Sequence, residues 1–219
     1  MHKFLSRVGI MNKLEKSRHA SLRQFRTQFA FHNVRDMISL DLPWWNYETI
    51  SYISDFLSKR DSKVFEFGSG ASTVWLSKRS KSVESVEHDE WFFNTVKGIT
   101  GGIGNIVLKF APAVLSDSPE GARSGKAGYE NYDFTEYVLQ ITKSSTKAFD
   151  LIVIDGRARM ACLKIAMEHL APGGLILLDN SNRKRYNDSI EAVSLEKLVH
   201  WGSTPGSPIP TEAIIFINR

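Results

Sequence analysis

The chain has 219 residues, 42% apolar and 24% charged, with one cysteine and a formal net charge of +4, which is the composition of an ordinary globular protein. That length supplies a full hydrophobic core without disulfides or structural metal, and Cys162, being alone, excludes an internal disulfide and a cysteine-rich zinc site. No apolar run is long enough to cross a bilayer and the start lacks the apolar stretch of a secretory signal, so the expectation is a chain without a membrane span in a reducing, cytoplasmic setting.

Residues 1–42 read as a basic, largely helical extension ahead of a domain over 43–219. Lys3, Arg7, Lys13, Lys16, Arg18, Arg23 and Arg26 face only Glu15 in the first 26 residues. A solvated helix packed on the domain is the favoured reading of this arm. An anionic partner surface and an organelle-targeting peptide are the alternatives.

From Val64 onward, short apolar runs alternate with amphipathic stretches, the pattern of a parallel sheet covered by helices on both faces. Val64–Phe67 predicts a first strand, Ser72–Lys81 a helix and Ser82–Val86 a second strand. Asp89 caps a helix carrying Phe92, Val96 and Ile99 on one face, ended by the glycines of 101–104. Ile106–Phe110 predicts a third strand. The irregular stretch Ala111–Tyr132 predicts a long loop over the sheet edge, and long loops in compact domains are often functional. Phe134, Val138 and Ile141 mark a helix, Leu151–Ile154 a buried fourth strand, and Ala158–Leu170 a helix stopped by Pro172-Gly173-Gly174. Leu175–Leu178 predicts the fifth strand. A helix near Tyr186–Lys197, a strand near Leu198–Trp201, a Pro/Gly-rich loop and a last strand Ala213–Ile217 close the chain. The last two strands, joined by a loop too short for a crossover helix, must pair antiparallel.

In such a sheet the ligand crevice lies beyond the carboxyl ends of the strands. After the first strand, Gly68-Ser69-Gly70 allows a tight turn and a close backbone approach to a ligand. Glu66 stands two residues before the first glycine, where dinucleotide-binding strands carry an apolar residue, and it must either face the crevice or be buried at a cost. Thr73 occupies the third glycine position of GxGxxG, which counts against NAD and FAD. After the second strand, Glu87 lies 19 residues beyond Gly68, near the spacing at which an acid accepts hydrogen bonds from ribose hydroxyls. Asp89 competes for that role but is committed to its helix cap.

The segments VFEFGSGAS, SVEHD, FDLIVIDGRAR and LAPGGLILLDNSNR resemble the class I S-adenosylmethionine (SAM) dependent methyltransferase family over about residues 43–219. The resemblance implies a Rossmann-like, doubly wound sheet of seven strands, mostly parallel with an antiparallel last strand, with SAM across the first two strand ends. It makes Glu66, Gly68, Gly70 and Glu87 cofactor residues, with Ser69, Ser72 and His88 their neighbours. Ser72 replaces the last glycine of the family's E-x-G-x-G-x-G loop, and Phe110-Ala111-Pro112 stands where an acid often contacts adenine.

Asp155 ends the fourth strand, which places it beside the reacting group as the base or orienting residue for the acceptor. Arg157 and Arg159 follow it closely and suit an anionic part of a substrate. Asp179-Asn180 ends the fifth strand. An acid after strand four with Asp-Asn after strand five is similar to the magnesium site of catechol-type O-methyltransferases, while the two arginines weigh against a cation there. Trp44 and Trp45 are candidate walls of the acceptor site or core residues, His88 is an alternative base, and Tyr129, Tyr132 and Arg183 are further candidates for the acceptor side. DGRAR in place of an Asn/Asp-Pro-Pro-aromatic motif disfavours a nucleic-acid base as substrate, so the expected reaction is O-methylation of a small sugar-like or anionic molecule. The rival readings are an aminopropyltransferase-like enzyme, disfavoured by the arginines, and a non-catalytic methyltransferase-like binding module that uses the basic arm.

Overall fold

The computed structural model describes residues 34–118 and 120–219. The basic arm before residue 34, with the helix expected there, and Pro119 lie outside the described residues.

The described chain forms, in order, α1 (Val34–Ser39), α2 (Tyr47–Leu57), β1 (Lys63–Phe67), α3 (Ala71–Ser77), β2 (Ser82–Glu87), α4 (Glu90–Thr100), β3 (Ile106–Phe110), β4 (Val114–Leu115) and β5 (Tyr132–Asp133). It continues with α5 (Thr135–Val138), extended by a 3₁₀ turn at Leu139–Ile141, then β6 (Phe149–Ile154), α6 (Arg159–Glu168) and β7 (Leu170–Asp179). A 3₁₀ turn at Lys184–Tyr186 leads into α7 (Asn187–Glu191), β8 (Glu196–Thr204) and β9 (Ser207–Ile217). Seven strands make one sheet in the order β3-β2-β1-β6-β7-β9-β8, with β4 and β5 in a separate antiparallel pair. Strands β3 to β7 of the large sheet run parallel, whereas β9 is antiparallel to both β7 and β8. The strand order reverses between β1 and β6, and the crevice at that point is where an open α/β sheet binds ligands.

The central strands are buried on both faces, so their sequences are mostly apolar runs instead of alternating with polar residues. Phe65, Phe67, Ile152, Ile154, Ile176, Leu178, Ile214 and Phe216 point to one face and pack with Tyr137, Cys162 and Leu163 from α5 and α6. Val64, Leu151, Val153, Leu175, Leu177 and Ile215 point to the other, against Ile53 and Leu57 of α2 and Trp75 of α3. Helix α2 starts where Asn46 accepts the Thr49 N–H at 2.9 Å, and its buried Thr49, Ile53 and Leu57 recur at four-residue spacing. Asn46 Nδ2 also donates to the carbonyls of His200 and Thr211, which fastens that helix to the β8–β9 hairpin.

Three expectations differ from the fold. Pro172-Gly173-Gly174 does not stop α6, which ends at Glu168; it lies inside β7, where Gly173 at φ +69° and Gly174 form an irregularity paired with Asn218. A Cβ on Gly174 would lie 2.8 Å from the Ala171 carbonyl oxygen, so the bulge requires that glycine. The helix expected to run to Lys197 covers only Asn187–Glu191. The Pro/Gly-rich stretch near the end is a long hairpin turning at Pro205-Gly206, with Gly206 at φ +76°, a Pro-then-Gly arrangement that suits a type II turn.

Candidate functional site

A cavity of about 720 Å³ opens at the carboxyl ends of β1, β2, β6 and β7, within the volume range of small-molecule and cofactor sites. One end is formed by Gly68, Ser69, Gly70, Ser72, Glu87 and His88. The other end is formed by Asp155, Gly156, Arg157, Asp179 and Asn180. Trp44, Phe92 and Tyr129 wall it between, and Thr204, Ser207 and Thr211 reach it from the β8–β9 hairpin.

The loop after β1 is set by contacts to its own backbone. Gly68 has φ +100°, and a Cβ there would lie 2.7 Å from the Cα and N of Gly156. Gly70 is different: a Cβ would meet nothing nearer than the Trp44 ring at 3.7 Å. The backbone thus requires a glycine at 68, whereas at 70 the missing side chain leaves cavity space.

Glu66 is fully buried beneath this loop and does not line the cavity. Its Oε1 accepts from Ser72 Oγ at 2.5 Å, and its Oε2 accepts from Thr73 Oγ1 at 2.6 Å and Ser85 Oγ at 2.7 Å. Ser72, at the family's third glycine position, therefore ties the start of α3 to β1. Burial pushes the Glu66 carboxyl up from 4.5 to about 7, and the nearby Asp155 adds to this, while the three hydroxyls oppose it. A folded-state value above the unfolded one stabilises the fold fully below the unfolded value, and that contribution is lost as pH rises through the folded value. Urea unfolding of wild type and Glu66→Gln should therefore show wild type losing about 3 kcal/mol relative to the variant between pH 4.5 and pH 8. Parallel pH curves would show that Glu66 does not titrate in this window.

Glu87 is the last residue of β2 and faces the cavity with both oxygens engaged. Oε2 accepts from the Ser69 N–H at 3.1 Å and Ser69 Oγ at 3.2 Å, and Oε1 accepts from the N–H groups of His88 and Asp89 at 2.8 and 2.9 Å. The His88 Nδ1 lies 2.7 Å from Oε1 without hydrogen-bond alignment. His88 stacks with Tyr129, Phe134 and Tyr137. Asp89 caps α4 by accepting the Phe92 N–H at 2.7 Å, as its position predicts.

At the other end, Asp155 receives Trp45 Nε1 on Oδ2 at 3.3 Å and an Arg159 N–H on Oδ1 at 2.9 Å. Arg159 is buried and also donates to the carbonyls of Gly156, Asp155 and Asp179, so it ties the ends of β6 and β7 together. Asp179 is 3% exposed and lies within hydrogen-bonding reach of Asp155. Burial, then the Asp155 charge, holds its carboxyl well above the usual carboxylate range, with Arg159 opposing. Like charge and burial thus act together to disfavour the charged form of Asp179. Among the described residues, no group of three or more His, Cys, Asp or Glu side chains is placed to hold a metal.

The two tryptophans separate in role. Trp44 lines the cavity with its Nε1 buried and without a partner among the described residues. Trp45 is fully buried against Trp75 with its Nε1 donating to Asp155, which is the core alternative, so of the two only Trp44 lines the cavity. Arg159, expected to hold substrate, does not line the large cavity, whereas Arg157 does, over the Tyr129 ring at 5.3 Å. Tyr132 and Arg183 stay off this cavity, and Asn180 lines it at φ +47°. The loop expected over 111–132 folds back on itself through β4, β5 and an Arg123–Asp133 bridge, and brings Tyr129 to the cavity wall.

Sequence reasoning missed Gly156, Phe92 and the hairpin residues Thr204, Ser207 and Thr211. The Pro205-Gly206 pair between two β-prone runs was the signal for the hairpin. No residue pattern announces Gly156, whose need arises only when two loops meet.

The sequence matches no family model, and no curated protein matches it significantly. Solved structures match the fold. A cofactor-bound protein from MTB aligns with TM-score 0.59 at 14% identity, over 87% of this chain and 89% of its own. The O-methyltransferase TomG from Streptomyces achromogenes, in complex with SAM, aligns at 0.54 and 11% identity, over 78% and 80%. An rRNA methylase from Streptococcus thermophilus aligns at 0.54 and 12%, over 78% and 96%. The fold is that of class I SAM-dependent methyltransferases. At these identities the likeness extends to the fold alone. Among the described residues no helix is long and apolar enough to cross a membrane.

Proposed function

We propose that this chain is a SAM-dependent methyltransferase acting on a hydroxyl of a small, anionic or sugar-like molecule. The observation that carries the reading is the single cavity running from the Gly68–Ser72 loop and Glu87 to the Asp155–Asp179 pair. Its first half fits the cofactor. Gly70 leaves cavity space beside the Trp44 ring, and the cavity wall holds the unpartnered Trp44 Nε1 and His88 ring nitrogens. Glu87 would take the ribose hydroxyls in place of the Ser69 hydroxyl, which can turn away without unfolding the loop. Trp91, Phe92 and His88 would flank the adenine, since Phe110 and Ala111 lie off the cavity. Glu66 would act through the loop that it fastens.

When bound, the cofactor supplies an electrophilic methyl group. The chain's own part is to orient the acceptor and take its proton. Asp155 Oδ2 is the accepting atom, because Arg159 holds the other oxygen and Asp179 is buried. Arg157 steers the acceptor's anionic group toward the same corner.

Calorimetry with SAM separates this reading from a binding module, which would give no cofactor heat. A screen of hydroxyl acceptors with radiolabelled SAM, with and without magnesium, then tests the reaction. Activity should survive EDTA, because a buried guanidinium already engages the Asp155 carboxylate and the Asp179 carbonyl. Loss of activity in EDTA, restored by magnesium, would assign Asp155 and Asp179 to a cation instead.

A further inference from the structure

Beside the large cavity lies a second one of about 160 Å³. Its walls come from residues 123–126 and 156–160 and from Arg183, Arg185 and Tyr186, and Gly156 and Arg157 belong to both cavities. Six of its lining residues are cations, namely Arg123, Lys126, Arg157, Arg159, Arg183 and Arg185, and none is an acid.

Gathering six positive charges around a partly enclosed space is unfavourable unless negative charge compensates them. The protein compensates little of it. Arg159 pairs with Asp155. Among the described residues the other five have no ion-pair partner, although Asp133 feels the charge of Arg123. Four of them meet neutral groups or rings instead, and Lys126 is exposed. Arg123 donates to the carbonyls of Ser116 and Ser118, and Arg183 donates to Tyr186 Oη at 3.2 Å and Asn180 Oδ1 at 3.1 Å. Arg185 lies over the Tyr186 ring at 5.0 Å, packed so closely on Gly125 that a Cβ there would meet its Cδ at 2.7 Å. The Arg157 Nε is buried with no partner among the described residues. Burial would raise the Tyr186 phenol, yet the charges of Arg159 and Arg183 and hydrogen bonds from Arg185 and Arg183 hold it below its ordinary value, a sign of the positive field here. The first turn of α6, ten residues long, also lines the cavity and adds its N–H groups to the same field.

We propose that the second cavity binds a phosphate-class oxyanion, and that this is the terminal phosphomonoester of the acceptor whose hydroxyl reaches Asp155 next door. The identity of the bearer rests on the methyl-transfer reading; binding of the anion does not. Arginine's planar fork suits phosphate oxygens. A space of this volume, walled by three segments of chain, takes a terminal group better than a phosphodiester that must leave on both sides.

Calorimetric titration of the full chain with inorganic phosphate at low ionic strength tests this, in wild type, Arg183→Gln/Arg185→Gln and the charge-preserving Arg183→Lys/Arg185→Lys, with circular dichroism to confirm folding. The expected result is saturable phosphate binding in wild type, weakened at least tenfold in the glutamine variant and partly kept in the lysine variant, while SAM affinity stays within twofold. Phosphate binding without SAM binding would support the anion site and sink the methyl-transfer reading. SAM binding without phosphate binding, or equal phosphate affinity in all three proteins, would overturn the site. Single-stranded RNA binding that depends on the same arginines, with no phosphate binding, would overturn it in favour of a polynucleotide.

Discussion

Asp155→Asn should lower turnover by about 10²–10⁴-fold, the range a positioned general base supplies, while SAM affinity stays within about twofold. The amide retains an oxygen for the Arg159 N–H that now sits 2.9 Å from Oδ1, so the buried guanidinium is not left unpaired. The other position changes from acceptor to donor and faces Trp45 Nε1–H, which loses its partner. That mismatch costs about 1–3 kcal/mol of stability, enough to measure and too little to unfold the chain. Removing the Asp155 charge also removes one of the causes that keep the Asp179 carboxyl raised, leaving burial and Arg159 in opposition. The pH dependence of the residual activity should therefore change shape as well as height. Turnover within tenfold of wild type, with SAM bound normally, would remove Asp155 from the chemistry.

The sheet was legible because strands buried on both faces are dominated by apolar residues, as β6 and β7 are, while β2 and β3 carry Glu84, Ser85 and Lys109 among their apolar positions. The polar residues after those strands were legible for the complementary reason: a carboxylate at a strand end in an apolar protein needs a purpose. What each one does was less legible. Glu66 and Glu87 look alike in the sequence, yet one lies under the loop among three hydroxyls and the other faces the cavity. Arg157 and Arg159 are two residues apart, yet only the first lines the large cavity, while the second, at the start of α6, reaches into the β6–β7 junction. Adjacent Trp44 and Trp45 likewise part, the first lining the cavity and the second buried against Trp75, at a bend before α2. The second cavity was invisible in the sequence, because its cations come from three segments that only the fold assembles.

Gly156→Ala should be the most disruptive small substitution in the site, although nothing in the sequence marks it. An added Cβ would collide with Tyr137 Oη and lie 3.0 Å from the Phe67 carbonyl oxygen and 3.1 Å from Gly68 Cα. Gly68 would meet Gly156 in return, so the two glycines are where the β1 and β6 loops touch. A side chain on either one pushes the Gly68–Ser72 loop away from Asp155. Overpacking of this kind costs about 1–3 kcal/mol, and a shift of the order of 1 Å between reacting groups costs about 10²-fold in rate. Tyr137 Oη is buried without an aligned partner, although the Arg157 N–H approaches it, so Tyr137→Phe alone should cost little. Combined with Gly156→Ala it should recover part of the lost stability by removing the atom struck, with a coupling of about 0.5–3 kcal/mol in urea unfolding. Turnover should recover less, because the contacts with Phe67 and Gly68 remain and these set the distance between the loops. If Gly156→Ala instead kept wild-type stability and turnover, the two loops would have room to separate, and the fixed spacing between the Gly68–Ser72 loop and Asp155 would not be what aligns the proposed reaction.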